Sequence, residues 1–272
     1  MMQSRWQALA LGPESESPLW ELFHENSKLD RIQSSAPDVE LREYMADLHE
    51  SLPFDGFPTI VLPKRLHPLK MPLDQAIQSL VSVREMIPHA LRLDQLASLL
   101  HYSYGVTRNE KRSGLPRSLR VVPSAGALYP LEIFIHAANV QAISQGLYHY
   151  HPVRHHLRLL REGNLTDEIV RCFVSNTIPP HASLLIFITA LFERSTLIYG
   201  DRGYRFALLE AGHVAQNINL VASSLRLGCL SIGGVFDRLI DTFLQLDGIT
   251  HSTVSVLAIG AASRRRRSRS AL

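Results

Sequence analysis

The chain has 272 residues, of which 46% are hydrophobic and 19% are charged, a composition that excludes a disordered chain and suits one large domain with an extension. Its net charge of +3 depends on five arginines between positions 264 and 269, without which the remaining chain carries −2; this argues against a nucleic-acid-binding surface. Two cysteines without a Cys-x-x-Cys pair, and apolar runs shorter than the roughly 20 residues of a membrane span, indicate a protein of the reducing cytoplasm.

The first half of the chain shows helical periodicity. Three helices are predicted there, at about residues 20–29, 73–83 and 93–104. The last of them has leucines at the spacing of one helical face, and Gly105 is predicted to end it in the left-handed conformation. The polar residues 108–118, which include a glycine and a proline, are predicted to form a loop.

In the second half the pattern changes to short strands and one long helix. Apolar runs of strand length occur at about residues 131–137, 184–190 and 253–259, and two further runs flank Pro152 as in a hairpin. The long helix is predicted at about 202–226, with Asp201 as its N-cap and Gly228 as its end. Because its apolar residues leave no clean polar face, this helix is expected to be buried within the domain or in a subunit interface.

The order of these elements favours an α+β fold with a central mixed or antiparallel sheet, flanking helices and a long buried helix. Strands and helices do not alternate regularly, and no Gly-x-Gly-x-x-Gly follows a strand, which argues against a doubly wound dinucleotide-binding sheet. Three parts are predicted: an N-terminal extension at 1–65, the main domain at 66–263 and a basic tail at 264–272.

Two glycine-containing segments are candidates for contact with a flat ligand. Residues 123–130, PSAGALYP, are small enough to let the backbone approach a ring, with the Ser124 hydroxyl and nearby amides as hydrogen-bonding groups. In residues 228–236, GCLSIGGVF, the Gly233–Gly234 pair can present a backbone N–H to a ring nitrogen. Both segments also fit ordinary turns next to a core strand, so local chemistry leaves the two interpretations open.

Residues 198–205, IYGDRGYR, place a phenol and two arginines at the start of the long helix. Tyr199 is a candidate proton donor or acceptor, and Arg202 and Arg205 are candidate partners of an anion. The alternative is an ordinary helix start with solvated arginines.

The sequence HYHPVRHH at 149–156 contains four histidines. Two of them, His149 and His151, would share one face of a strand, but no third metal ligand is evident. We therefore expect these histidines on the surface of a hairpin, and no metal site.

Taken together, the ordered motifs resemble the SagB-type dehydrogenases, which are azoline oxidases of thiazole- and oxazole-modified peptide pathways within the FMN-dependent nitroreductase superfamily. The resemblance spans about residues 17–263, and its segments are FHENSKL, SVREM at 82–86, LASLLHYSYGV at 96–106, PSAGALYPLEIFI at 123–135, GLYHYHPVRHHL at 146–157, YGDRGYRFALLEAGHVAQNI at 199–218 and LGCLSIGGVFD at 227–237. It implies a nitroreductase-like homodimer with FMN at the subunit interface. It also implies hydride transfer between flavin N5 and a small or peptidyl substrate, in a biosynthetic complex or alone.

The resemblance further implies which residues contact FMN. Ser82 and Arg84 match an element that contacts the ribityl chain and the pyrimidine edge, and Gly233 and Gly234 match the segment that passes flavin N5. The segment implied to line the isoalloxazine is Pro123, Ser124, Ala125 and Gly126, and the implied phosphate ligands are Arg264 and Arg265. Tyr199 is the implied catalytic residue.

Two departures from the family pattern leave the reaction open. Leu80 and Val81 stand where the family has arginines, and Ile198 stands where azoline oxidases carry the lysine of a Lys-Tyr pair. Isoleucine cannot assist proton removal, so oxidation of an azoline would depend on Tyr199 alone. The alternatives are an NAD(P)H-dependent nitroreductase or quinone reductase, and a non-catalytic scaffold subunit of a peptide-modifying complex.

Overall fold

A central antiparallel sheet organises the computed structural model, which describes residues 18–29, 38–109, 116–174 and 181–263. The strands are β1 (Thr59–Val61), β2 (Met86–Ile87), β3 (Val106–Arg108), β4 (Leu119–Arg120), β5 (Leu131–Ala137), β6 (Gly146–His151), β7 (His156–Glu162), β8 (Leu184–Leu191), β9 (Gly228–Ile232) and β10 (His251–Ala262). The helices are α1 (Leu19–Asn26), α2 (Asp38–Asp47), α3 (Leu73–Gln78), α4 (Leu93–Tyr104), α5 (Thr166–Val170), α6 (Glu193–Tyr199), α7 (Asp201–Ser224) and α8 (Asp237–Leu244).

Strand order in the main sheet is β1-β7-β6-β5-β8-β10-β2, and β9 also pairs with β10. Every pair is antiparallel, and at the centre Phe134 of β5 lies opposite Phe187 of β8. β3 and β4 form a separate two-stranded sheet. The α+β architecture expected from the order of elements is therefore confirmed.

The two faces of the sheet are covered by different helices because the side chains of a strand alternate between faces. On one face Ile133 and Ile186 pack in a core that contains residues of α4 and α7. On the other face Phe134 and Phe187 pack in a second core with residues of α5 and α8. β5 and β8 are thus covered on both faces, which explains their nearly continuous apolar sequence.

Neither of the two glycines that were expected to end helices acts as a left-handed cap. Gly105 follows α4 but has an extended backbone, and a Cβ there would lie 2.5 Å from the carbonyl oxygen of His101. At the end of α7 Arg226 adopts the left-handed conformation. Gly228 instead begins β9, where a Cβ would lie 2.9 Å from Val83. The predicted left-handed cap at Gly105 and the predicted helix end at Gly228 were wrong because close packing, not φ, requires these glycines.

Other element ends differ because backbone pairing overrides local preference. The helix predicted at 73–83 ends at Gln78, since the amide of Val83 donates to the carbonyl oxygen of Cys229 at 2.9 Å. Asp201 is the first residue of α7 rather than its N-cap. The cap position is held by Gly200, which has no side chain to accept a hydrogen bond from the helix. β10 continues past residue 259 to Ala262 because its last two residues pair with β2.

The chain before residue 65 contributes to the folded body. β1 pairs with β7 at the edge of the main sheet. The hydroxyl of Ser51 donates to Glu132 of β5 at 2.8 Å, so the segment before β1 also contacts the sheet directly. Within the described ranges, no helix is long and apolar enough to cross a membrane.

The expected surface position of the hairpin histidines was wrong. His149 is fully buried, and His151 and His156 are also buried. The ring of His149 lies 2.7 Å from a carboxylate oxygen of Glu132, which gives this imidazole a partner inside the core. The sequence did not indicate this pairing because Glu132 belongs to a neighbouring strand.

Candidate functional site

The PSAGALYP segment forms a tight turn at the entrance to β5. Residues 125–127 make one turn of 3-10 helix, in which Gly126 has a φ of 59°. The guanidinium of Arg117 is buried beneath the turn and donates to the carbonyl oxygens of Ala127 and Leu128 at 3.2 and 3.0 Å. The Ser124 hydroxyl oxygen accepts from the Tyr129 amide at 2.9 Å. The turn is therefore held from both sides in one conformation.

Tyr199 lies directly against this turn. A Cβ built on Gly126 would be 2.6 Å from the Tyr199 hydroxyl oxygen, so only glycine permits the observed approach. The ring of Tyr199 meets Phe206 edge to face, with 5.1 Å between the ring centres. Burial raises the pKa of Tyr199 above its ordinary value of 10, so the phenol stays protonated at neutral pH. The structure thus places a hydroxyl hydrogen beside the small-residue turn.

Ser82 and Arg84 lie at a different place, beside β9 and the end of β10. Ser82 forms a parallel bridge with Cys229, and the amide of Ser263 donates to the carbonyl oxygen of Glu85 at 3.2 Å. The side chains of Ser82 and Arg84 are exposed. Among the residues that the structure describes, Arg84 has no ion-pair partner. Both side chains are accessible to a ligand.

Gly233 and Gly234 follow the other end of β9. A Cβ on Gly233 would meet no atom within 4 Å, and one on Gly234 would meet only Val174, at 3.7 Å. Strand geometry puts Gly233 about 13 Å from Cys229. Both glycines are exposed, whereas Ser82 bridges Cys229 near the other end of this strand. Neither glycine is required by packing within the chain.

The two groups of predicted residues lie beside different parts of α7. Burial raises the pKa of Glu210 to about 7 and the nearby Ser124 side chain opposes this rise, so Ser124 lies beside this helix. Near the C-terminal end, the Ser223 hydroxyl lies 2.7 Å from the Ser79 hydroxyl, close in sequence to Ser82. Because a helix rises 1.5 Å per residue, positions 210 and 223 are about 20 Å apart. Within one chain, the PSAGALYP turn and the Ser82–Arg84 segment are therefore far apart.

A buried polar cluster lies behind the turn and was not predicted. The Tyr104 hydroxyl donates to Glu210 at 2.8 Å, and the guanidinium carbon of Arg120 stacks 4.4 Å from the centre of the Tyr104 ring. Arg120 also lies 4.7 Å from the ring of Tyr129, whose hydroxyl accepts from the Arg120 amide at 2.8 Å. The available signal was a single acidic residue among the apolar residues of the long helix.

A second buried network surrounds Glu132. One carboxylate oxygen accepts from Arg194 at 2.8 Å, and the other lies 2.7 Å from the His149 ring. Burial by itself would raise the pKa of Glu132, but Arg194 and then His149 outweigh it and hold this pKa well below the usual range. Arg194 also donates to the carbonyl oxygen of Tyr129 at 3.2 Å, which fixes the C-terminal part of the turn.

The remaining candidates are the arginines that were considered as ligands of an anion or of the FMN phosphate. Arg202 and Arg205 donate to the carbonyl oxygens of Ser27 and His24, so these arginines attach α1 to the start of α7; their pairing with an anion stays a prediction. Arg264 and Arg265 lie outside the described residues, so their role as phosphate ligands stays a prediction.

Fold and site together define an α+β protein whose antiparallel sheet supports a small-residue turn, an apposed phenol and an exposed glycine pair. Residues 79–261 match the nitroreductase family, and the chain belongs to that family. The predicted membership in the nitroreductase superfamily is thereby confirmed.

Three relatives show how far the sequence similarity extends. The protein MJ1384 of Methanocaldococcus jannaschii, which is named as a nitroreductase, is 38% identical over 165 residues, covering 61% of this chain and 80% of its own length. The trifolitoxin-processing protein TfxB of Rhizobium leguminosarum bv. trifolii is 31% identical, covering 64% of this chain and 48% of that protein. The microcin B17-processing protein McbC of Escherichia coli is 33% identical over 52% of this chain and 54% of its own. The chain thus spans about half the length of the two processing proteins.

Solved structures share the fold at lower identity. A nitroreductase-like protein from Anabaena variabilis superposes with a TM-score of 0.71 at 23% identity, covering 93% of this chain and 49% of that one. The E. coli microcin synthetase complex McbBCD, with a truncated substrate precursor bound, contains a chain that superposes with a TM-score of 0.58 at 23% identity, covering 90% and 92%. At this identity, these two structures support the fold alone.

Proposed function

We propose that the protein is an FMN-dependent oxidoreductase that transfers hydride between flavin N5 and a small or peptidyl substrate of a biosynthetic pathway. The observation that carries the proposal is the Tyr199 hydroxyl placed against Gly126, in a turn shaped by a buried arginine. That arrangement supplies a proton donor beside a partly exposed turn of small residues. Membership in the nitroreductase family and the ordered SagB-type motifs support the same function.

The residues present fit FMN. Gly233 and Gly234 have an exposed backbone and no side chains, which suits the edge of an isoalloxazine ring. Ser82 offers an exposed hydroxyl and Arg84 an exposed cation, which suit the ribityl chain and an anionic pyrimidine edge. Pro123, Ser124 and Ala125 would complete the ring contact. When bound, FMN supplies the two-electron chemistry that no side chain of this protein can perform.

A site shared between two subunits explains the separation of these residues. Within one chain the Ser124 turn and the Ser82–Arg84 segment are about 20 Å apart along α7. The outward face of α7 is a stripe of exposed residues: Leu208, Leu209, Gly212, His213 and Gln216. Leu209 is 62% exposed, an unusual position for a leucine in the middle of the longest helix. We propose that this α7 stripe packs against a second copy, so that each FMN contacts both chains.

The state of Tyr199 favours proton donation. Because burial raises its pKa, the phenol is a poor base at neutral pH and a competent hydrogen-bond donor. Ile198 packs with the hydrophobic core and cannot take a proton. Oxidation of an azoline, which needs a base, is therefore less well supported than reduction of an acceptor. We retain an NAD(P)H-dependent reductase as the second candidate on this observation.

The class of substrate rests on the named relatives. TfxB and McbC are processing proteins of trifolitoxin and microcin B17, and the chain in the McbBCD complex shares the fold. A peptide or peptide-derived substrate, and a partner enzyme that delivers it, are consistent with these relatives. A scaffold subunit without catalysis is the remaining alternative.

Purified protein tests the proposal directly. We expect it to be yellow or to take up added FMN with a higher melting temperature, because a ligand that binds the folded state stabilises it. Replacement of Tyr199 by Phe is expected to leave FMN bound and to lower substrate turnover by about 10²-fold or more, the usual contribution of general acid catalysis. Turnover is measured with NAD(P)H and a quinone or nitroaromatic acceptor, and separately with candidate azoline peptides.

The outcomes separate the candidates. Rapid anaerobic bleaching of the flavin by NAD(P)H would favour the reductase, and a mass loss of two hydrogens from an azoline peptide would favour the dehydrogenase. A protein that binds no FMN at saturating concentration contradicts both and leaves the scaffold. Tyr102→Phe, a change of an exposed tyrosine on α4, serves as the matched control and should alter neither binding nor turnover.

A further inference from the structure

A cavity of about 290 Å³ opens on the face of the sheet that α5 and α8 cover. Its walls come from the segment before β1, from β6 and β7, and from the end of α8 and the loop after it. Tyr199 and the PSAGALYP turn pack with the core on the opposite face, so the sheet separates them from this cavity. Of the predicted FMN contacts within the described residues, none lines it.

Three departures from regular backbone geometry meet at this cavity. Phe54 and Gln245 line it with φ angles of 44° and 60°, although neither residue is a glycine. A β-bulge falls at Leu160, where the pairing of β7 with β6 shifts register. Left-handed non-glycine residues cost conformational energy, and both these residues and β-bulges concentrate at ligand sites. Their meeting here indicates a binding site rather than a packing defect.

Aromatic side chains dominate the walls. Phe54, Phe57 and Phe243 all line the cavity. Phe57 is 40% exposed, so its ring is in contact with solvent as well as with the cavity. The ring of Phe54 meets those of Phe57 and Phe134 edge to face, with 6.0 Å between ring centres in both pairs. Rings held in this way can make edge-to-face or offset-stacked contacts with a flat apolar molecule.

The charges around the cavity are already compensated. Arg161 is the permanently charged residue among the described residues that line it. Its guanidinium donates to both carboxylate oxygens of Glu168, at 3.2 and 2.5 Å, and stacks 5.1 Å from the centre of the Phe243 ring. Burial lowers the pKa of His251 to about 4, so this imidazole is neutral at pH 7. An ion entering the cavity would lose its hydration without gaining a free counter-charge.

We propose that this cavity is a binding site for a small neutral aromatic molecule, separate from the site proposed for FMN. Its aromatic walls favour a flat ring, and its compensated charges favour an uncharged one. A volume of about 290 Å³ is near the lower end for small-molecule sites and suits a bicyclic ring of the size of indole. The inference does not rest on the proposed function, because no predicted FMN contact takes part in it.

Indole is the probe, and isothermal titration calorimetry in the presence of excess FMN measures its binding. We expect wild-type protein to bind indole with a Kd below about 1 mM, which is within reach of a ligand of this size. Indole-3-acetate and tryptamine, which carry a negative and a positive charge, should bind at least about tenfold more weakly. The excess of FMN keeps indole out of the flavin site, so the measurement reports the cavity.

Two variants locate the site. Phe57→Ala should weaken indole binding by about fivefold or more, because an aromatic contact is lost. Leu246→Trp should abolish binding without lowering the melting temperature, because the larger side chain of this partly buried residue fills the cavity. Trp20→Ala is the matched control, since Trp20 is an exposed aromatic residue on α1 that does not line the cavity. It should bind indole as the wild type does.

Four results would each overturn the inference: no indole binding at about 5 mM, several times the expected Kd; wild-type affinity in Phe57→Ala; equal binding of the charged analogues; or displacement of indole by FMN. Failure of the proposed function is distinguishable from these. A protein that binds no FMN but binds indole with the expected pattern of variants contradicts the flavin proposal and supports this site.

Discussion

Glu132 shows how a single buried charge can fix the surroundings of a site. Its carboxylate accepts from Arg194, the Ser51 hydroxyl and the Leu52 amide and contacts His149, so residues from four parts of the chain meet at one group. Since Arg194 also holds the Tyr129 carbonyl oxygen, this network connects β5 to the PSAGALYP turn. A charge with this many partners is costly to remove because the opposite charge stays buried.

Replacement of Glu132 by Gln is expected to lower the free energy of unfolding by about 3 kcal/mol at pH 7, because Arg194 then lacks its counter-charge. The pKa of Glu132 is held below its ordinary value of 4.5, so the stabilisation is present above about pH 4.5 and is lost as pH falls below it. Urea unfolding of both proteins at several pH values measures this. The difference between them should narrow from pH 5 toward pH 3.

Glu168→Gln is the matched control for this prediction. Glu168 also pairs with an arginine, Arg161, at 2.5 Å, but its side chain is 48% exposed. Solvent screens such pairs, so little change in stability is expected. An equal loss of unfolding free energy in both variants would show that the buried Glu132 network stabilises the fold no more than an exposed ion pair does.

At the scale of elements, the turn before β5 and the end of α6 are shaped to fit each other. Gly126 has a positive φ, and its missing side chain leaves the space that the Tyr199 hydroxyl occupies. α6 ends at Tyr199 because Gly200 follows with a φ of 55°, and α7 starts directly afterwards. The bend between the two helices thereby determines where the phenol lies.

Gly126→Ala is expected to destabilise the fold by about 1–3 kcal/mol, the range for a non-glycine residue in the left-handed region, and to displace Tyr199 because of the 2.6 Å contact. Thermal unfolding and substrate turnover measure the two effects. In the double variant with Tyr199→Phe the contact with the hydroxyl is gone, so the stability loss should be smaller than the sum of the two single changes. Strict additivity would contradict the proposed contact.

At the scale of the whole molecule, the exposed α7 stripe is the basis of our proposal that two chains form the functional unit. The stripe runs along the outward face of the helix that separates the two groups of predicted FMN contacts. A second chain packed there would cover Leu208 and Leu209 and bring its own residues near the site. Dimerisation and cofactor binding are therefore expected to depend on each other.

Leu209→Glu introduces a charge into this stripe and is expected to convert a dimer into a monomer in sedimentation velocity experiments, with FMN affinity reduced at least tenfold. Because Leu209 is exposed in the single chain, the variant should retain its circular dichroism spectrum. Ile249→Glu is the matched control, since Ile249 is 80% exposed in the loop after α8 and does not belong to the α7 stripe. A variant at Leu209 that stays dimeric and binds FMN normally would rule out this interface.

Sequence by itself determined the class of fold, the family and the segments of interest. Periodicity located α4 and the central strands because burial on one or both faces imposes a repeat on the amino acids. The resemblance of ordered motifs identified Tyr199 and Ser124–Gly126, which the structure brings together. These features are local or linear, so they can be recognised along the chain.

Only the tertiary structure decided what depends on distant segments. Glycine is required at positions 105 and 228 because a side chain there would collide with His101 and Val83, and not because of the cap geometry that local rules assign to glycine. The buried state of His149 depends on Glu132 in another strand, and the buried Glu210 is paired with Tyr104 of another helix. Charge and hydrogen bonding inside a core are set by which segments meet there, and a linear pattern does not contain that information.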